Sequence, residues 1–423
     1  MSFFLRSARR CLSLIIAALC SSIAIADEHN LTLLEAERMA LERDTALIGF
    51  DDRRAALMDE AVASSQLPDP QMRLAAQNFP TDSFDRDQEA MTQLIVGVRQ
   101  AFPRGKSRHL GRQKMETMAL AETALSRDRR REVVRSVRVA WTEKAYLKGA
   151  LTALVAQQEW FDQLEQAAIA SYASGARSQH ELIRIAMERD LLEEESVRLR
   201  QASFDQDATL SRWIGVETGR LDVTGIPLLP APPARSVSEA AISSHPLIEA
   251  DLARVGASEI DVSLAEQAYR PGWALDLSYG FRDGRGVDGN SRPDFVSAMV
   301  LFDVPIFTRN RQDRRVSAAS AEERQLRNLL TDKQRVLMGR LDAAWSRWER
   351  TGERIALFRT KVVPAAEANI EATHQAYRND LVPFDDVVEA EKTLLQTRTR
   401  LLRIAADHAT AQAELLYLAG DGT

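Results

Sequence analysis

The chain predicts a mainly α-helical protein with a small β part: long antiparallel helical hairpins with coiled-coil seams, and four strands per chain. Three observations lead there. The 423 residues run through one plan twice, residues 106–172 hold no proline, and four runs of roughly ten residues trade helical periodicity for alternation.

The repeat is read from matched landmarks. QAFPRGKSR (100–108) is echoed by FDVPIFTRNR (302–311), VAWTEK around Trp141 by AAWSRW around Trp345, and YASGARSQHEL (172–182) by YRNDLVPFDDV (377–387). Pro103 to Pro305, Trp141 to Trp345 and Tyr172 to Tyr377 give offsets of 202, 204 and 205, a near-constant shift. GIPLLPAPPARS (225–236) carries four prolines and lies between the halves as a linker. The expected division is 1–26 as a leader, 27–219 as the first repeat, 220–236 as the linker and 237–423 as the second repeat.

The elements then follow in chain order. Residues 1–26 have a basic start at Arg6, Arg9 and Arg10, an apolar centre and an Ala24-Ile25-Ala26 cleavage signal, which read as a secretory signal peptide ending before Asp27. Both cysteines, Cys11 and Cys20, fall inside it, so the mature chain has no disulfide or thiolate metal site. Lipidation at Cys20 is the competing reading, with Leu19 a poor residue before a lipobox cysteine. Removal of the leader leaves 52 basic against 61 acidic residues, a net charge of −9 that argues against a nucleic-acid partner. No later stretch has the ~18 consecutive apolar residues of a membrane helix, so any membrane span is made of strands.

Each half opens with a helix (32–65 and 238–269) and then changes period. In WALDLSYGF, Trp273, Leu275, Leu277, Tyr279 and Phe281 fall on one face, with Ala274, Asp276, Ser278 and Gly280 on the other. TQLIVGVRQ alternates in the same way, while QMRLAAQNF (71–79) and PDFVSAMVLFDV (293–304) do so less cleanly. The runs have the length and pattern of membrane β-strands, and equally of a half-buried hairpin in a soluble domain. Within the second connecting loop, residues 284–289 match G-x-G-x-x-G. A strand follows where the dinucleotide fingerprint requires a helix, so the match is a hairpin loop.

Very long helices come next. Residues 106–172 would extend about 100 Å as one helix. In the last helix Val387-Val388, Leu394-Leu395, Leu401-Leu402 and Leu415-Leu416 recur in heptad register, with His408-Ala409 filling the gap. Tyr172 and Tyr377 therefore mark the far ends of two helical hairpins. The second of these turns crowds Asp380, Asp385, Asp386 and Glu389 together.

Helix, strand pair, long hairpin, proline linker, then all of it again: this order resembles the TolC family of outer-membrane efflux proteins over essentially the whole mature chain. The tip motif carries the resemblance most specifically, with Tyr172, Gly175, Arg177, Ser178, Glu181 and Leu182 in the first copy and Tyr377, Asp380, Val382, Asp386 and Val387 in the second. Asp380 stands where glycine is usual and Val382 near the usual arginine, so Arg177 is expected to be the only tip arginine. FPRGKSR and the 71–93 hairpin look more like the CzcC/CusC branch, which serves heavy-metal efflux. The resemblance implies a homotrimer whose four strands per chain complete a transmembrane barrel in outer-membrane lipid. It further implies that the hairpins form a periplasmic tunnel closed at its tips by Tyr172, Arg177, Glu181, Tyr377, Asp380, Asp386 and Glu389. Trp273, Leu275, Leu277 and Tyr279 would face lipid, and the partners would be a periplasmic adaptor and an inner-membrane RND transporter. A duct for drugs or type I secretion is the alternative within that family, and a periplasmic coiled-coil adaptor or scaffold the alternative outside it. No catalytic set, cofactor motif or metal-ligand spacing is expected; His180 and His374 near the tips read as solvated helix positions.

Overall fold

The computed structural model describes residues 31–173, 178–215, 223, 225–379 and 381–420. The proposed leader, Gly175, Arg177, Asp380 and part of the 220–236 linker lie outside the described residues.

Where one opening helix was expected over 32–65, two form: α1 (Leu33–Arg43) and α2 (Thr45–Ser64). Asp44 causes the break. It ends α1, accepts the Leu47 amide at 3.1 Å as the cap of α2, and pairs with Arg129 at 2.7 Å. The helix expected over 238–269 divides in the same way once the chain reaches the second half. There Pro246, which has no amide proton to continue a helix, starts a new one behind a His245 cap.

Strands β1 (Gln71–Gln77) and β2 (Gln93–Phe102) follow α2, and β1 stops two residues short of the expected Phe79. Asn78 has φ of 58°, a left-handed turn geometry that ends the extended run. Next come the hairpin helices α3 (Ser107–Ala173) and α4 (Gln179–Ile214), closed by Gly215 at φ 68°. The second half repeats the order with α5 (Arg235–Ile242), α6 (Pro246–Glu266), β3 (Trp273–Phe281), β4 (Phe295–Phe302), α7 (Gln312–Leu357), α8 (Val363–Arg378) and α9 (Phe384–Ala419). One π turn, Phe358–Val362, joins α7 to α8, whose second residue is Pro364. Proline would clash with the carbonyl four residues back, and the widened turn accommodates it without ending the helix.

All four strands form one antiparallel sheet in the order β1-β2-β3-β4, so sequence neighbours pair and the two halves meet at β2–β3. Val98 lies opposite both Met72 and Leu277, and Leu277 lies opposite Ala298. The residues 284–289 sit in the β3–β4 hairpin loop, pinned by an isolated Arg285–Ser291 bridge, with no helix after them.

The helical cores of the two halves are laid out alike. Trp141 of α3, 5% exposed, packs with Ala36 and Ala40 of α1 and Ile214 of α4. Trp345 of α7 packs with Ile248 of α6 and with Leu415 and Leu418 of α9. Helix α9 is the common member, contacting α3 as well as α7 and α8. Its wide heptad stripe supplies both contacts, with Val387, Val388, Leu394, Leu415 and Leu416 buried. The linker lies across this helix, its Leu229 and Pro230 carbonyls accepting from the Gln412 amide at 3.0 and 2.7 Å.

Candidate functional site

Two places combine exposed chemistry with fixed geometry: the sheet and the hairpin tips.

One face of the sheet is apolar and open. Leu277 is 50% exposed, Met72 and Leu74 are more so, and Val96, Val98, Val296 and Val300 share that face by register. Aromatic residues bound the stripe at both ends. At the end nearer the helices Phe102, Trp273 and Phe302 stand side by side across three strands, with Phe102 and Trp273 stacked at 3.9 Å. Toward the connecting loops Tyr279 and Phe281 lie 4.7 Å apart. Six residues separate Trp273 from Tyr279, about 20 Å along a strand. An apolar stripe bounded by aromatic residues at both ends is the pattern of a barrel's outer wall.

The other face is mixed: it carries the charged residues of the sheet together with Ile95, Phe295, Met299 and Leu301. Asp276, 5% exposed, pairs with Arg73 at 3.5 Å. These residues sit on β3 and β1, and the guanidinium crosses β2 where Gly97, opposite Arg73, has no side chain. Both outer edges, β1 and β4, have no strand partner among the described residues of the chain.

At the tips, helix-end chemistry comes first. Ser178 is the N-cap of α4, its hydroxyl accepting from the Glu181 amide at 3.4 Å. Asp385 and Asp386 occupy the first turn of α9, where the helix dipole favours carboxylates. Phe384 and Val388 bury themselves against Phe161, Ala168 and Ile185 of the first hairpin, so the second tip is anchored on the first. Tyr377 stacks edge-on to Phe384 at 6.1 Å, whereas Tyr172 is 46% exposed at the end of α3. Asp386 and Glu389 are exposed.

The ion pair that joins the hairpins at this level is Arg184–Asp385 at 2.8 Å, and Arg184 was not anticipated. It lies in the second turn of α4, and no pattern in the sequence singled it out from the other basic residues of that helix. Arg177 is therefore not the only arginine near the tips. Lys392–Glu188 at 3.1 Å continues the seam away from the tip, and within the second hairpin His374 Nε2 lies 3.4 Å from a Glu391 oxygen. His374 also stacks on Trp160 at 6.0 Å, while His180 is exposed. Among the described residues no group of three or more His, Cys, Asp or Glu is placed to hold a metal ion. No helix among them is long and apolar enough to cross a membrane.

No family model matches the chain, and no curated protein matches it by sequence. Solved structures do match by fold. CusC, whose crystal structures concern folding and transmembrane channel formation, superposes with a TM-score of 0.75 at 14% identity, covering 92% of each chain. The CmeC outer membrane channel of Campylobacter jejuni gives 0.76 at 14% identity over 92% of this chain and 86% of its own. The outer membrane protein VceC of Vibrio cholerae gives 0.75 at 17% identity over 92% and 96%. The long hairpins and open four-stranded sheet are thus the TolC-type architecture, over nearly the full length of each counterpart.

Proposed function

We propose that this chain is an outer-membrane efflux channel, a homotrimer whose barrel sits in outer-membrane lipid and whose helical hairpins extend into the periplasm. The single observation that carries this is the sheet: open at both edges, apolar and aromatic-bounded on one face, with the Asp276–Arg73 pair on the other. Hydrocarbon forbids unpaired strand edges, and four strands cannot close on themselves. Three copies, each pairing β4 with the next β1, would supply about twelve strands, an even-numbered closed barrel. The repeats 27–219 and 237–423, joined by 220–236, would contribute two strands and one hairpin each.

In this reading the tips are the periplasmic mouth. Tyr172, Gly175, Arg177, Ser178, Glu181, Tyr377, Asp380, Asp386 and Glu389 surround it, with Arg184–Asp385 tying the two hairpins of one chain together. Threefold repetition of the acids makes a ring that favours cations and repels anions. That ring, with the CzcC/CusC-like stretches of sequence, supports a heavy-metal cation as cargo, delivered by an inner-membrane RND transporter through a periplasmic adaptor. A second reading, a duct for drugs or secreted protein, draws support from the even structural likeness: CusC matches no better than CmeC or VceC. A scaffold without a pore is disfavoured by the sheet.

Conductance of the purified trimer in a planar bilayer tests the channel, and susceptibility of a strain lacking the gene tests the cargo. The expected results are cation-selective current and sensitisation to transition-metal salts. Sensitisation to drugs alone would favour the second reading, and a trimer without current would sink the channel.

A further inference from the structure

The two junctions between sheet and long helix are echoes in sequence but differ in chemistry. At the first, Arg104 donates to the Ala268 carbonyl at 3.1 Å and pairs with Asp303 at 3.3 Å, and Arg108 donates to the Ser65 carbonyl at 3.3 Å. At the second, between β4 and α7, the basic residues are left to the surroundings. Arg309, Arg311, Arg314 and Arg315 are all exposed, and among the described residues none has a carboxylate within ion-pair distance. Nearby acids are already engaged: Asp303 by Arg104, and Asp313 by the Tyr269 hydroxyl at 2.7 Å. Arg314 and Arg315 also lie in the first turn of α7, where the helix dipole disfavours cations. Beside them Ile306 is 70% and Phe307 78% exposed, continuing outward from Phe302 at the end of the aromatic row. Nothing among the described residues of one chain rewards this combination.

We propose that the β4–α7 segment is a docking surface for anionic phospholipid in the bilayer leaflet nearer the helices. Ile306 and Phe307 insert at the boundary between headgroups and acyl chains, and the four guanidinium groups take the phosphodiesters. Arginine suits that role because its planar fork meets phosphate oxygens two at a time. Bilayer attraction of this kind falls off within a Debye length, and Arg309 follows only two residues after Phe307, the side chain placed at the headgroup boundary. The inference rests on the membrane reading above and adds a headgroup preference to it.

Trp273 provides the probe, since it belongs to that aromatic row and the other five tryptophans lie on helices. The protein is reconstituted into vesicles containing either phosphatidylcholine or phosphatidylglycerol brominated in its acyl chains, with Trp273→Phe identifying the quenched signal. Both lipids should quench, with phosphatidylglycerol preferred on the order of fivefold, the factor one cation near an anionic surface contributes. The preference should vanish in 1 M salt and in the Arg309→Gln, Arg311→Gln, Arg314→Gln, Arg315→Gln variant. Equal quenching by the two lipids in the unaltered protein overturns the proposal while leaving the membrane reading intact. Equal quenching together with loss of the trimer in the variant would mean that a neighbouring copy covers the segment, which also overturns it. No quenching by either lipid would instead remove the membrane reading itself.

Discussion

In the helical bundle Leu415, Leu416 and Leu418 are at most 1% exposed, and Arg340 meets Glu414 toward the outside. In the sheet the order is reversed: Leu277 is 50% exposed and Asp276 5%. One chain thus sorts the same residue types in opposite senses. The bundle obeys the rule for a protein in water, where burial of apolar surface drives folding. On the proposed reading the sheet would obey the rule for a wall between hydrocarbon and an aqueous interior, in which apolar side chains gain nothing by turning inward. The difference teaches that the two regions follow opposite burial rules, and the proposed channel accounts for it by two solvents that meet at the Phe102–Trp273–Phe302 row.

The sharpest way to break the comparison is to put a charge on each face of β3. Leu277→Arg is expected to cost about 2–4 kcal/mol per chain near the bilayer midplane, incurred in all three copies, and to abolish the trimer in detergent extracts of membranes. Asp276→Arg, one residue away on the opposite face, should still assemble and change the ion selectivity of the current. Equal behaviour of the two variants would erase the distinction between the faces.

A medium effect should appear in the bundle alone. His245 is fully buried, and its Nδ1 accepts the Leu247 amide at 3.3 Å, which requires that nitrogen to be unprotonated. Burial, with Arg131 and Arg340 nearby, lowers its pKa from 6.5 to about 4. The unfolded chain therefore binds this proton first, and stability falls as pH drops from 6.5 toward 4, by about 3 kcal/mol in total. His245→Asn, which keeps a capping side chain, should remove that part of the pH dependence in urea titrations while the sheet stays unaffected. A wild-type profile that is flat across the window would show that His245 protonates without cost.

The smallest effect belongs to the tips. The Arg184–Asp385 pair is 36% and 46% exposed on its two sides, so its loss should change stability by only about 0–1 kcal/mol. Arg184→Ala should nonetheless raise the conductance of the trimer, as should Arg177→Ala, by loosening the mouth. Conductance unchanged in both would reduce the tip residues to caps and solvated turns.

Much of this was legible in the residues themselves. Alternation in WALDLSYGF identified β3 residue for residue, because side-chain direction in a strand depends only on parity. The proline-free run 106–172 identified α3 to within one residue at each end, because backbone hydrogen bonds of a helix are local. Glycine, proline and aspartate at the turns placed the hairpin ends for the same reason. Other features depended on where distant segments meet. Asp44 could have been an ordinary helix residue until Arg129 was brought alongside, and the Arg184–Asp385 pair joins positions 201 residues apart. His245 reads from sequence as a polar helix start, and only packing beneath Tyr417, with Arg131 and Arg340 close by, excludes water from it. The sequence by itself determined periodicity, helix ends and strand faces, since these follow from steric and hydrogen-bonding rules within a few residues. Tertiary structure decided which charges pair, which histidine is dry and which arginines are left facing outward, since burial and Coulomb energies depend on neighbours that only the folded chain supplies.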